Sequence, residues 1–185
     1  MPSDLTQVRR RSREVTDDEW MADFLEHAAT CVIGSAADGR TFLNPNTFVY
    51  DRERDLLYFH TAGSGRTRTN LTNDARVTIC VFEMGRLLPA PVVTDYSTEY
   101  ASVVLFGRVT IVDDPAEVRM LFERQMKKYF PHKQPGVDYV PFTDAEAAKA
   151  TVYRVTIEER SAKKHDAAPD HEGALRYPWS YFAGR

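Results

Sequence analysis

Short strand-like segments follow one another at close, regular spacing from residue 30 onward, and this pattern limits the chain more than any other feature. Residues 30–34 (TCVIG) form the first segment. Ala37-Asp38-Gly39 then supplies the positive φ that a tight hairpin needs. Residues 41–50 return as a second strand, and residues 55–60 (DLLYFH) form a third, rich in aromatics. Such spacing predicts an antiparallel meander, not βαβ units. Pro45 interrupts the second strand. A proline cannot donate to a ladder, so an edge, a bulge or a ligand belongs there.

Three further strands are expected at residues 75–83 (ARVTICVFE), 99–112 and 150–158 (ATVYRVTIE). Gly107, inside the fifth, predicts a bend or bulge. Residues 84–98 read as a Pro-containing connection. A first helix is expected over 17–29, with Thr16 as N-cap and Glu19 completing a capping box. Trp20, Phe24 and Leu25 give it an apolar stripe. Asp113, Asp114 and Pro115 open a second helix, whose apolar face carries Val118, Leu121, Phe122, Met126 and Tyr129. Pro131 ends it, a loop spans 131–142, and a short helix over 143–149 begins with a Thr143/Glu146 box. Six antiparallel strands in 185 residues are expected to close, since closure removes exposed edges. The expected fold is mainly β (α+β): a six-stranded antiparallel barrel with flanking helices. One domain spans 1–185, with 1–15 as an N-terminal arm and 160–185 as a C-terminal tail.

Composition removes several function classes. Hydrophobic residues make up 43% and charged residues 28%, which excludes disordered and low-complexity chains. A net charge of −3 argues against a polyanion-binding surface, so nucleic acid is not an expected partner. Arg9, Arg10, Arg11 and Arg13 are too few to reverse that; the arm is read as mobile or lying on a partner subunit. No stretch is long and apolar enough for a membrane span, and no apolar block follows the basic N-terminus. The expected location is therefore cytoplasmic. Cys31 and Cys80 read as reduced core thiols. The histidines His27, His60, His132, His165 and His171 form no HxH or HxxxH pair, so no metal site is expected. No acid/base dyad or triad is visible, and no catalytic residue is assigned. The terminal aromatics Tyr177, Trp179, Tyr181 and Phe182 are expected to cover the barrel, pack on a partner or close over a ligand.

The most informative stretch is residues 61–70 (TAGSGRTRTN). Its glycines admit close backbone approach, its hydroxyls donate hydrogen bonds, and Arg66 and Arg68 match a phosphate bidentately. A helix starts within it, and helix N-termini attract anions. The spacing of a P-loop is absent. A phosphate cradle and a solvated surface loop both remain open on these grounds.

The run from Leu57 to Leu71, followed by Asn73-Asp74-Ala75-Arg76-Val77, resembles the flavin-binding core of the pyridoxamine 5′-phosphate oxidase-related proteins, and most of all their nitroimidazole-resistance-like members. Arg13-Glu14-Val15-Thr16, Pro45, Tyr50 and the segment from Tyr100 to Val109 fit the same group. The resemblance covers residues 9–158 and implies a split β-barrel, a homodimer and FMN between the subunits. By the same resemblance Arg66, Thr67 and Arg68 hold the FMN phosphate, with Ser64 and Gly65 shaping the turn. Asn44, Asn46, Thr47 and Phe48 lie along the ring, and His60 and Thr61 flank the ribityl chain or ring. Tyr100 and Ser102 come from the partner subunit. Many relatives have a lysine where Thr67 stands, and here Arg66 and Arg68 supply the charge instead. The tail does not match the vitamin-binding signature of the oxidase proper. The expected function is an FMN-dependent oxidoreductase passing electrons from a reduced nicotinamide to a nitroaromatic or quinone. A barrel holding haem or F420, and a non-catalytic flavin-binding module, are the alternatives.

Overall fold

A computed structural model describes residues 5–147 and 150–178. After a 3-10 turn at Arg11–Arg13 come β1 (Glu14–Val15) and α1 (Asp18–His27). The cap of α1 sits one residue later than the capping box predicts. Asp17, not Thr16, accepts from the Glu19 and Trp20 amides at 3.0 and 3.2 Å, because its carboxylate is the stronger acceptor for the positive end of the helix. Ala28 turns to extended backbone and leads into the sheet, so the helix ends before residue 29.

β2 (Cys31–Ala37) and β3 (Arg40–Asn46) form the expected hairpin, with Asp38 and Gly39 at φ 51° and 70°. β4 (Val49–Asp51), β5 (Leu56–Ala62), α2 (Arg66–Asn73), β6 (Arg76–Leu88) and β7 (Ser97–Val112) follow. α3 (Pro115–Tyr129), α4 (Asp144–Ala147), β8 (Ala150–His165) and β9 (Leu175–Arg176) complete the described chain. The sheet has nine strands in the order β3-β2-β6-β7-β8-β5-β4, with β1 added to β8 and β9 to β6. The six expected strands are all present. The second is divided into β3 and β4, and β1 and β9 are two-residue additions.

The division sets the shape. β3 and β4 are the two opposite edges of the sheet, yet only Thr47 and Phe48 separate them in sequence. Two residues span only about 7 Å, so the sheet must curl until its edges nearly meet. Pro45 lies on the β3 edge, where its missing N–H removes nothing from the ladder. Side chains facing inward from every part of the sheet fill the curl: Ile33, Leu57, Phe59, Ile79, Val103, Leu105 and Tyr153 are at most 1% exposed. α1 adds Met21 and Leu25 to this core. α3 packs outside, placing Val118 and Leu121 against Val49, Tyr58 and Val152. The expectation of a mainly β, curled antiparallel sheet with flanking helices holds.

Two boundaries differ from expectation. Residues 84–88 and 159–165, read as connection and tail, are strand. Each finds a partner on β7, as in Met84 opposite Tyr100 and Lys163 opposite Ser102, and those ladder bonds outweigh polar composition. The arm is docked on its own subunit from Val8, 3% exposed, and Val15 pairs with Ala162. Gly107 sits at the predicted bulge, where the β7–β8 register shifts. Residues 148–149 of the expected short helix, and Trp179, Tyr181 and Phe182, lie outside the described residues; Tyr177 is 54% exposed.

Candidate functional site

The end of β5 and the start of α2 bring the sequence-predicted residues together. Gly65, at φ +130°, occupies backbone space that L side chains rarely adopt, and it caps α2 without any side-chain hydrogen bond. The first amides of α2 are thus open to an external acceptor. The inner face of α2 holds it in place. Thr67 accepts from Asn44 Nδ2 at 3.1 Å, and Asn70 Nδ2 donates to Ser35 Oγ at 3.1 Å, all under or beside β2 and β3. Ser64, Arg66, Arg68 and Thr69 remain on the outside.

The two arginines do different things. Arg68 donates to Gly63 O and Thr151 Oγ1, both at 2.8 Å, tying the turn to β8. Arg66 leans over the Phe42 ring at 5.6 Å and has no acidic partner among the described residues. It lines a cleft of about 440 Å³ with Arg40, Asp38, Thr41, Phe42 and Asn70.

The seam between β3 and β4 uses several of the other expected residues. Asn46 Nδ2 donates to His60 O at 2.9 Å, while its Oδ1 accepts from the Thr47 amide at 2.8 Å. Thr47 Oγ1 accepts from Gln125 Nε2 at 2.9 Å. Phe48 is 1% exposed, inside the barrel, and its amide donates to the Tyr129 hydroxyl at 3.1 Å.

His60 faces outward beneath α3. Gln125, which donates to Thr47, stands beside its ring. The ring nitrogen Nδ1 is buried without a hydrogen-bond partner. Burial pulls the His60 pKa below its ordinary value. His60, Thr61 and Ala62 floor a largely apolar cleft of about 640 Å³, walled by Phe122, Met126 and Phe142. Phe122 stacks on Phe142 at 4.4 Å and tilts against His60 at 5.0 Å. Thr61 itself bonds to Ala62 O and the Tyr153 hydroxyl. One strand end therefore serves both an anion-seeking turn and an apolar slot.

Tyr100 and Ser102 stand elsewhere, on β7, opposite Met84 and Phe82. By register they share the outward face of the sheet with Leu43. Leu43, Phe82 and Met84 are 61%, 55% and 45% exposed. Gln125, Arg40 and Phe42 were not singled out from sequence. Gln125 offered a signal, a polar residue between Leu121 and Tyr129 on an otherwise apolar face. Arg40 and Phe42 offered none, because the hairpin brings them to α2 across more than twenty residues. Among the described residues, no three potential metal ligands converge and no helix is long and apolar enough to cross a membrane.

A curled antiparallel sheet with α3 outside it and a glycine-led turn after β5 is the flavin-binding split-barrel fold. The chain belongs to the pyridoxamine 5′-phosphate oxidase family, whose model matches residues 17–164. Among solved structures it is similar to the flavocytochrome Anf3 from Azotobacter vinelandii, at 21% identity and a TM-score of 0.76, covering 96% of this chain and 78% of that one. It is also similar to a 5-nitroimidazole antibiotic resistance protein from Bacteroides thetaiotaomicron (20% identity, TM-score 0.67, 82% and 86% coverage). A FAD and heme binding protein from Mycobacterium smegmatis gives 20% identity and a TM-score of 0.71, with 85% and 76% coverage. Identities this low establish the fold alone. No curated protein matches the chain.

Proposed function

We propose that this protein is a flavin-dependent oxidoreductase that holds FMN by its phosphate at the start of α2 and passes electrons to a small, flat acceptor. The observation that carries this reading is the double duty of the β5 end. Open amides and Arg66 await an anion on one side, and an apolar slot floored by His60 and Thr61 lies on the other. When bound, the flavin supplies hydride and single-electron transfer. The chain's own residues anchor and orient. Gly65 opens the turn, Arg68 stiffens it, and Asn44 fixes Thr67. The aromatic wall of Phe122 and Phe142 excludes water.

A homodimer belongs to the same proposal. The outward apolar face of Leu43, Phe82 and Met84 suits a second copy, which would bring its Tyr100 and Ser102 toward the site.

One test is anaerobic reduction of the purified protein with NADH or NADPH, followed by reoxidation with a nitroaromatic or a quinone. Turnover faster than that of free FMN is expected. Rates equal to free FMN would reduce the protein to a flavin carrier. A second reading, haem in the slot, is favoured by the histidine on its floor, His60, and by the haem named for the mycobacterial structure. A Soret band in place of flavin bands would decide for it.

A further inference from the structure

Among the described residues, three buried side-chain polar atoms lack a hydrogen-bond partner: His60 Nδ1, Asp51 Oδ2 and Lys128 Nζ. Folded chains leave few such atoms, so each calls for an explanation. His60 borders the slot already described. Asp51 and Lys128 both line a different cleft, of about 570 Å³, formed by the end of α1, β4 with its following turn, and the end of α3. Asp51 is 2% exposed. Arg124 Nη1 stands 3.0 Å from its Oδ2 and balances the charge, but without the alignment of a hydrogen bond. An ionised carboxylate only accepts, so this oxygen needs a donor. Lys128 is the opposite case, since an ammonium only donates. The Phe48 ring, 4.0 Å from Nζ, covers one side of it. A helix C-terminus favours cations, which accounts for exposed Lys127 in the same turn but not for a buried Lys128 ammonium. The other charges on the lining cancel in pairs, Arg52 with Glu26 and Arg124 with Asp51. That leaves Lys127 and Lys128 against Glu53, and favours a negative ligand.

We propose that this cleft binds a small hydroxycarboxylic acid, whose carboxylate accepts from Lys128 and whose hydroxyl donates to Asp51. A neutral hydroxyl suits Asp51 because Arg124 already meets its charge. A carboxylate suits Lys128, which has no anionic partner of its own among the described residues. The lining shares no residue with the slot over His60 or with the cleft beside α2. The proposal therefore stands or falls separately from the flavin reading.

The test is calorimetric titration of the purified protein, unaltered and as Lys128→Met, Asp51→Asn and the control Arg9→Ala, each checked by thermal unfolding. The probe is 3-hydroxybutyrate. Butyrate lacks its hydroxyl, and 3-hydroxybutyramide lacks its charge. Unaltered protein and Arg9→Ala are expected to bind the hydroxy acid alike, and Lys128→Met about tenfold or more weakly. Lys128→Met breaks no hydrogen bond and removes a buried charge, so it is expected to fold. On unaltered protein, butyrate and the amide are both expected to bind more weakly than the hydroxy acid. In Asp51→Asn the advantage over butyrate shrinks. The ligand comparison on unaltered protein tests the Asp51 contact even where that variant does not fold. No binding by unaltered protein, equal binding by Lys128→Met, or butyrate or the amide matching the hydroxy acid would each overturn the site.

Discussion

Arg66 and Arg68 are two positions apart, yet their surroundings differ: one guanidinium lines a cleft and the other is tied to its own chain. Arg66 points into a cleft with no acidic partner, whereas both contacts of Arg68 are to its own chain. Arg66→Ala is expected to weaken flavin binding by about 1.5–3 kcal/mol, the range for a charge-assisted hydrogen bond, and to leave folding intact. Arg68→Ala is expected to lower the urea midpoint first, since it frees the buried hydroxyl of Thr151. Fluorescence titration and urea unfolding on both variants separate the two. Lys128 is a second residue whose environment decides its behaviour. Its Nζ lies 4.0 Å from the centre of the Phe48 ring, buried and without a hydrogen-bond partner. Burial pulls its pKa from 10.5 to about 8. The folded chain thus holds this proton less tightly than the unfolded one. Its destabilising effect is full below pH 8 and fades as pH rises toward 10.5. Lys128→Met is expected to flatten the gain in stability between pH 7 and 9.5; an unchanged difference between the two pH values would refute the burial argument.

At the scale of elements, the seam between β3 and β4 is where the barrel is closed by side chains and not by a ladder. The Tyr129 hydroxyl accepts from the Phe48 amide and lies within hydrogen-bond distance of the Phe48 and Ala29 carbonyls. Tyr129→Phe leaves that amide unpaired, with an expected loss of about 1–3 kcal/mol by urea unfolding. Gly107 is the second critical point. A Cβ there would lie 2.2 Å from the Thr156 carbonyl oxygen, part of a backbone that cannot step aside. Gly107→Ala is expected to cost about 1–3 kcal/mol or more in the same measurement. The strands themselves were legible because their signals are local: a turn pair at Asp38-Gly39, a proline at an edge, a glycine at a bulge. The glycine-led turn before α2 was legible for the same reason. The Gln125–Thr47 bond and the cleft shared by Arg40 and Arg66 were not, since each joins residues far apart in the sequence. The strand ends at 84–88 and 159–165 were missed because their partners, not their composition, make them strands.

For the whole molecule, the proposed dimer turns on the outward face. Single exposed apolar residues need no explanation, but Leu43, Phe82 and Met84 share one face of one sheet. Light scattering is expected to give a dimer, and Phe82→Lys is expected to shift it toward monomer and lower flavin retention together. A stable monomer that keeps its flavin would detach cofactor binding from assembly. The central claim is that the start of α2 grips the phosphate of a flavin. Its most direct check is the absorption spectrum and mass of the small molecule released when the purified protein is heated. The account predicts an isoalloxazine spectrum and the mass of a flavin nucleotide; a protein that releases no flavin and takes up none when FMN or FAD is added would contradict it.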